Sequence, residues 1–414
     1  MVFIHLFDIQ FMKKTYLFSL LLLVSCTANN PIIIEEKIPY YADITEAKYS
    51  DTPQPLSDFV DSIEYIRLSE DILLPDISRF QIEVDDSDSI FLSGGSGVYK
   101  FTPQGKYLGN LIKKGQGPGE IPSLVLYCFF NMRDRYFSVQ SYGKNTYTKL
   151  SFDGTYLGDD VRYNASMNLY EKSILSYWEG TEIYHYVRTS PYKIHDKINM
   201  DSLYFFRVKD LSTNQTIFKL RNWHSDSKGE ITGQRAITNS LGFDFGVDYD
   251  SIFWIRPVHL DTIYYSKKIN EYSPLYIVHQ PEDAANYDWL AKLDAGIGNY
   301  SKKEILNTRQ LWSTFVLPSG LLYDFGSPNE GGTGFCPKNG KGVYYSKEFK
   351  NDVDDHFLKL DFSYRINNRG ITEHNGYLYL LINAFEFFNE GCNPPFPDLT
   401  EESNPVVVKL KLKR

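Results

Sequence analysis

This chain predicts an all-β fold, a six-bladed β-propeller with a helical insertion between blades 4 and 5, and three observations carry the prediction. Residues Val98–Gly109 and Tyr147–Gly158 align without a gap, sharing Gly105/Gly154 and the Tyr-Leu-Gly that follows, at an offset of 49 residues. A period of that size, built from short β-rich runs around a glycine turn, belongs to radially repeated sheets, because one four-stranded unit cannot bury both of its faces alone. A polar turn followed by a short aromatic and aliphatic run also recurs six times, starting at Asp88, Asp134, Gly180, Asp250, Ser319 and Asn375. Finally, a surplus strand stands at each end, Ile63–Leu68 and Pro405–Leu412. Pairing them closes the ring and removes two exposed edges.

The elements follow in chain order. Lys13-Lys14 and the apolar run Leu17–Val24 have the layout of a secretory signal over residues 1–25, with Met12 as the expected start. The run is too short to span a membrane as a helix. Leu23-Val24-Ser25-Cys26 resembles a bacterial lipobox, in which Cys26 becomes the lipidated first residue of the mature protein. Such a Cys carries enough hydrocarbon for stable anchoring. Residues 26–55 are polar, contain Pro31, Pro39, Pro53 and Pro55, and read as a tether, so the propeller is expected over 56–414.

The six starts are separated by 46, 46, 70, 69 and 56 residues. A four-stranded blade needs about 40 to 50, so the longer intervals hold insertions. In the insertion Pro281–Phe315 strand alternation is lost, and Leu290, Leu293, Ile305, Leu306, Leu311 and Trp312 take spacings suited to helix faces. Ser301-Lys-Lys-Glu304 is a capping-box pattern for a helix start.

Val98–Glu120, with Phe101, the Gln104-Gly105-Lys106 turn, Tyr107-Leu108 and Lys114-Gly-Gln-Gly-Pro-Gly-Glu120, resembles a blade of the six-bladed β-propeller lipoproteins of Bacteroidota, relatives of the NHL-repeat propellers. Val60–Leu68, His259–Tyr264 and Asn404–Lys411 are similar to that family's beginning, middle and end, so the resemblance spans residues 56–414. Residues 180–220 depart from it most. The resemblance implies a ligand- or partner-binding propeller and brings no catalytic residues.

Composition narrows the function. A net charge of −9, made one unit more negative by loss of Asp8, Lys13 and Lys14 with the signal, and the lack of basic clusters argue against nucleic-acid binding. Cys128, Cys336 and Cys392 remain in the mature chain, an odd number that leaves at least one thiol unpaired. Cys128 lies in the apolar run Leu124–Phe130, whereas Cys336 and Cys392 lie in Gly/Pro-rich loops where oxidising conditions could join them in a disulfide.

Local catalytic patterns fail in detail. Gly115-Gln-Gly-Pro-Gly119 lacks the Lys of a phosphate loop, loses an amide at Pro118 and gains a negative charge at Glu120, so it reads as a turn between blades. Gly94-Gly-Ser-Gly97 is followed by Val98 where a nucleophile elbow needs Gly, and reads as a hairpin. The histidines, from His185 to His374, form no His-Glu-x-x-His, and no metal or other cofactor is expected. The acidic groups Asp85, Asp86, Asp88 and Asp352, Asp354, Asp355 lack EF-hand spacing and read as turn residues.

Aromatic residues make up 16% of the chain, which suits carbohydrate contact as well as sheet packing. Trp254, Arg256 and His259, an aromatic, a cation and an imidazole close together, form the candidate ligand-binding group. The expected function is a lipid-anchored envelope protein, held at the outer membrane, that binds a ligand, a glycan or a partner protein. Two alternatives stand beside it: a propeller lyase or hydrolase acting on polysaccharide or lactone in the central funnel, and a structural subunit of an envelope complex.

Overall fold

Among the described residues, six main antiparallel sheets follow one another along the chain, and each begins its second strand within three residues of one of the six repeated starts. The computed structural model describes residues 38–74, 80–95, 97–132, 134–141, 146–161, 169–175, 181–188, 198–199, 204–210, 212–221, 230–231, 243–247, 252–257, 260–268, 271–285, 289, 300–363 and 370–414. Sheet I comprises Gln81–Val84, Ile90–Gly94, Gly97–Phe101 and Tyr107–Asn110; sheet II comprises Val125–Asn131, Tyr136–Ser141, Thr146–Ser151 and Tyr156–Val161. Sheet III runs from Leu169 to Arg221, sheet IV from Phe243 to His279, and sheet V holds Gln310–Leu317, Gly320–Gly326 and Gly331–Pro337. Sheet VI is built from Ile371–His374, Tyr377–Ile382, Val406–Leu412 and, from the other end of the chain, Val60–Arg67.

The turns that open the second strands of sheets I, II and VI contain a residue in left-handed backbone, which explains Asp88 and Asn375. Asp88, Arg135 and Asn375 sit at φ of 57°, 54° and 52°, a left-handed conformation that Asp and Asn tolerate because their side chains bond nearby amides. The gap-free repeat reappears in the backbone, with φ of 82° and 84° at Gly105 and Gly154. A Cβ at Gly105 would lie 2.0 Å from the carbonyl oxygen of Arg67, and one at Gly154 would lie 2.9 Å from that of Leu111. Each glycine therefore lets a hairpin turn press against the backbone that ends the preceding sheet.

Alternation of side chains along the strands buries both faces of each sheet. In sheet I, Ile90 and Leu92 pack with Tyr379, Leu381 and Val407 of sheet VI. Phe91, between them, points the other way into Phe130, Phe137 and Phe152 of sheet II. In sheet VI, Leu378, Leu380 and Val408 turn from sheet I toward Leu321 and Leu322 of sheet V. The first strand of sheet I touches the first strand of sheet VI, that of sheet II touches that of sheet III, and that of sheet IV touches those of sheets V and VI. First strands thus gather at a common centre while sheet faces stack around it, which is a β-propeller.

The termini close the arrangement. Val60–Arg67 pairs antiparallel with Val406–Leu412, Arg67 opposite Val406 and Ile63 opposite Leu410, as the two surplus strands led one to expect.

Two sequence expectations need correction. The segment read as a tether is built into the domain from Tyr40 onward: Tyr40–Asp43 pairs parallel with Tyr276–His279 and, on its other side, with Gly340–Lys341. Lys48–Tyr49 and Gln54–Pro55 then pair with Tyr344–Tyr345 and Phe349–Lys350. Strands of four, two and two residues are too short to show alternation, and their partners lie far away in sequence. In the insertion, helix Lys302–Asn307 carries the expected capping box, Ser301 accepting from the Glu304 amide and Glu304 from the Ser301 amide. Leu311 and Trp312, assigned to a helix face, lie instead on strand Gln310–Leu317. Leu290 and Leu293 lie outside the described residues.

Candidate binding surface

Of the three residues singled out as a ligand group, Trp254 and Arg256 are fully buried, and His259 lies outside the described residues, as does Cys26. Both buried side chains hold sheets IV and V together. The Arg256 guanidinium donates to Asp244 at 2.7 Å and 2.6 Å, to Thr314 Oγ1 at 3.1 Å and to the carbonyls of Leu260 and Trp312 at 3.1 Å and 2.9 Å. Asp244 also accepts from the Thr314 amide at 2.7 Å. Burial pushes the Asp244 carboxyl up from its ordinary value, against the opposing pull of Arg256 and Thr314. Trp254 stacks edge-on against Phe315 with ring centres 5.9 Å apart. Neither side chain presents a face to a ligand, because the second strand of a blade, Phe253–Pro257, is buried along its whole length.

The cysteines differ from expectation too. Cys336 and Cys392 are both free thiols. Cys336 is sealed in sheet V, its Sγ 3.4 Å from the Gly340 carbonyl, and burial pushes its pKa up to about 12. Cys392 is half-exposed on a different loop near Leu358. In the Gly115–Gly119 turn, the Gly117 amide donates at 2.8 Å to Glu120, a carboxylate of the same loop sitting where an anion would have to bind. Among the described residues, no group of three His, Cys, Asp or Glu could hold a metal ion.

A different surface stands out. Sheet I joins its second and third strands with a tight turn at Gly95, but sheet VI uses the long connection from Asn383 to Pro405. This connection is tied down by hydrogen bonds at both ends and in the middle. Glu386 accepts from the Asn383 amide at 3.2 Å and its Nδ2 at 2.9 Å, capping the short 3-10 helix Ala384–Phe388. Asn404 Nδ2 donates to the carbonyls of Ser69 and Ile72 at 2.8 Å and 2.6 Å. The Asn393 amide donates at 3.0 Å to the Asp355 carbonyl, and His356 Nδ1 lies 2.6 Å from the Asn393 carbonyl.

On this fixed crest Phe387 points inward, its ring 6.0 Å from Tyr65 and 6.4 Å from Phe357. Phe385 and Phe388 point outward, 54% and 40% exposed. Leu358, 39% exposed, lies 3.6 Å from where a side chain at Gly391 would begin, so it continues the apolar surface beside the crest. Phe385, Phe388 and Leu358 thus leave apolar area exposed along one hydrogen-bonded connection, the kind of surface a partner can cover. Sequence reading missed this surface; the capping pattern Asn383-x-x-Glu386 and the run Phe385-Glu-Phe-Phe388 are the signals that could have found it.

Beneath the crest, the Tyr65 hydroxyl donates to Asp354 at 2.8 Å, and the Tyr65 ring lies 4.8 Å from His356. Tyrosine, imidazole, carboxylate and the nearby Cys392 thiol are thus brought together, yet not as an activated nucleophile. Burial and the Asp354 charge push the Tyr65 hydroxyl far above its ordinary value, and burial raises the Cys392 thiol as well. A nucleophilic thiol needs the opposite shift. The connection also borders an open depression of about 370 Å³ lined by Arg67, Ser69, Glu70, Gln104, Lys106 and Asp398, where Arg67 is ion-paired to Glu70 at 2.8 Å and to Asp398 at 2.5 Å.

No family profile matches the chain, and no curated protein matches it. Among solved structures, a Bacteroides fragilis protein whose export is inferred is similar over 90% of this chain and 100% of its own, at 12% identity and a TM-score of 0.59. A member of the DUF4221 family from Bacteroides vulgatus aligns over 86% of this chain and 97% of its own, at 12% identity and a TM-score of 0.46. Virginiamycin B lyase from Staphylococcus aureus aligns over 85% and 99%, at 8% identity and a TM-score of 0.36. At such identities the likeness is one of fold alone, and of these three only the first is close enough to carry that much.

Proposed function

We propose that this chain is an exported, lipid-anchored protein of the bacterial cell envelope, held at the outer membrane through Cys26, whose propeller binds a ligand, a glycan or a partner protein. In this reading sheets I to VI are six blades, and the segment around helix Lys302–Asn307 is an insertion between the fourth and the fifth. The observation that carries binding is the crest. Phe385 and Phe388 are held in water by a capped, doubly tethered connection, an arrangement that leaves apolar area unburied on folding and that a partner would cover. Export and anchoring rest on the signal layout and on Cys26.

The test has two arms. Intact mass of the chain extracted from membranes is expected to show an acylated Cys26 at the mature N-terminus; the mass of the full unprocessed chain would remove the anchor. Purified protein is then screened against envelope polysaccharides and envelope proteins, with the double variant Phe385→Ser, Phe388→Ser alongside. Loss of two buried aromatic contacts weakens binding by about ten-fold or more. Equal binding by the variant would move the site away from the crest.

A further inference from the structure

The crest of sheet VI is acidic as well as apolar. Asn383–Pro405 holds Glu386, Glu390, Asp398, Glu401 and Glu402 and no Lys, Arg or His, so 23 residues carry a charge of −5 in a chain whose net charge is −9. Glu386 is committed to the cap at Asn383, and Asp398 pairs with Arg67. Glu390, two positions after Phe388, is exposed. The turn Thr400–Ser403, closed by the Ser403 amide on the Thr400 carbonyl, leaves Glu401 and Glu402 exposed too. Glu390, Glu401 and Glu402 are in no ion pair among the described residues. Asp355, which accepts from the Asn393 side chain, adds another carboxylate beside the crest. Of the cations bordering it, Arg67 is paired with both Glu70 and Asp398, Lys359 is paired with Glu348 at 2.8 Å, and Lys106 shares the open depression with Glu70 and Asp398.

Charge decides what can cover the two exposed phenylalanines. Carboxylates gathered on one loop repel one another, and a cation arriving from outside relieves that cost. An anionic lipid or polysaccharide is repelled, and an uncharged glycan leaves the carboxylates as they are. Among the described residues no group of three His, Cys, Asp or Glu could hold a metal ion, and a small organic cation would leave the rings in water. Arginine answers both features at once: its guanidinium stacks on an aromatic face and donates to carboxylates, while its stem covers apolar surface. We infer that the crest takes a basic polypeptide segment, its arginine side chains lying on Phe385 and Phe388 and its cations paired with Glu390, Glu401 and Glu402. This rests on the crest being the binding surface, as proposed above, and names the chemistry of its occupant.

Binding to the full chain is read by fluorescence anisotropy of a short labelled peptide of alternating arginine and leucine, and of the same peptide with uncharged citrulline in place of arginine. Three variants accompany the parent, each matched to it in melting midpoint. The charge variant is Glu390→Gln, Glu401→Gln, Glu402→Gln, and the crest variant is Phe385→Ser, Phe388→Ser. The control, Glu46→Gln, Asp51→Asn, Glu271→Gln, removes as many exposed carboxylates away from the crest. The arginine peptide is expected to bind the charge and crest variants about ten-fold more weakly than the parent, to bind the control within about two-fold, and to weaken as salt rises. The citrulline peptide is expected to bind the parent about ten-fold more weakly than the arginine peptide. Equal binding of the arginine peptide by the parent and the charge variant, or an equal loss in the control, overturns the basic occupant. A citrulline peptide as tight as the arginine one, or a polysaccharide that binds where the arginine peptide does not, overturns it while keeping the crest, provided the crest variant loses that binding. Unchanged affinity of the crest variant for every probe removes the crest itself.

Discussion

Arg256 shows how a residue that looks like a ligand contact can be structural. Its guanidinium is wholly buried, and it donates to Asp244, to Thr314 and to the carbonyls of Leu260 and Trp312. Removing one partner of such a pair strands the other charge, at a cost of about 3 to 5 kcal/mol. Arg256→Ala is accordingly expected to lower the unfolding free energy by that amount, read as a lower denaturant midpoint at unchanged slope, while Arg256→Met with Asp244→Leu recovers most of it. An Arg256→Ala protein unfolding at the original midpoint would return the arginine to the list of binding residues. His374 makes the matching case for pH. Burial lowers its pKa from 6.5, against the pull of Asp88, Asp86 and Asp85 and together with Lys409. The folded state therefore prefers neutral imidazole, so the stability His374 contributes is present above its ordinary value and declines as pH falls below 6.5. Melting from about pH 7.5 to about pH 5.5 is expected to show a smaller decline in His374→Gln than in the parent; identical slopes would mean that the histidine is not responsible.

The elements that could be read from sequence are those whose signal is local. The Asp88 and Asn375 turns need left-handed backbone, and the strands after them place side chains alternately into two neighbouring sheets, so composition and spacing both betray them. The Ser301 capping box is equally local. Strands Lys48–Tyr49 and Gln54–Pro55 were hidden because two residues carry no period and their partners are about 300 positions away. Trp254 and Arg256 misled because residue type says nothing about which strand of a blade is sealed on both faces. Closure, by contrast, was visible as two unpartnered apolar runs, and it makes a firm prediction. Val406, Val407, Val408, Leu410 and Leu412 are all buried, each worth about 1.5 to 3 kcal/mol. Their sum is comparable to the whole net stability of a domain, about 5 to 15 kcal/mol. Deleting residues 404–414 should abolish cooperative unfolding by circular dichroism. A truncated chain that melts at the original midpoint would show that Val60–Arg67 does not close the ring.

At the scale of the whole molecule, the repeated residues build the ring and the unrepeated ones carry what the ring is for. Two departures from the repeat matter most. The Asn383–Pro405 crest presents Phe385 and Phe388, and the Tyr41–Pro55 ribbon lies at the other end of the described chain, beside residues 340–350. In the proposed reading, the anchor and the apolar crest together give the layout of a protein that holds something near a membrane. The most direct test places a photoreactive phenylalanine analogue at position 385 in living cells, with the same group at Leu157 for comparison. The account predicts a discrete adduct to one envelope component from position 385 and none from position 157. No adduct at 385, or the same adduct from both positions, would contradict it.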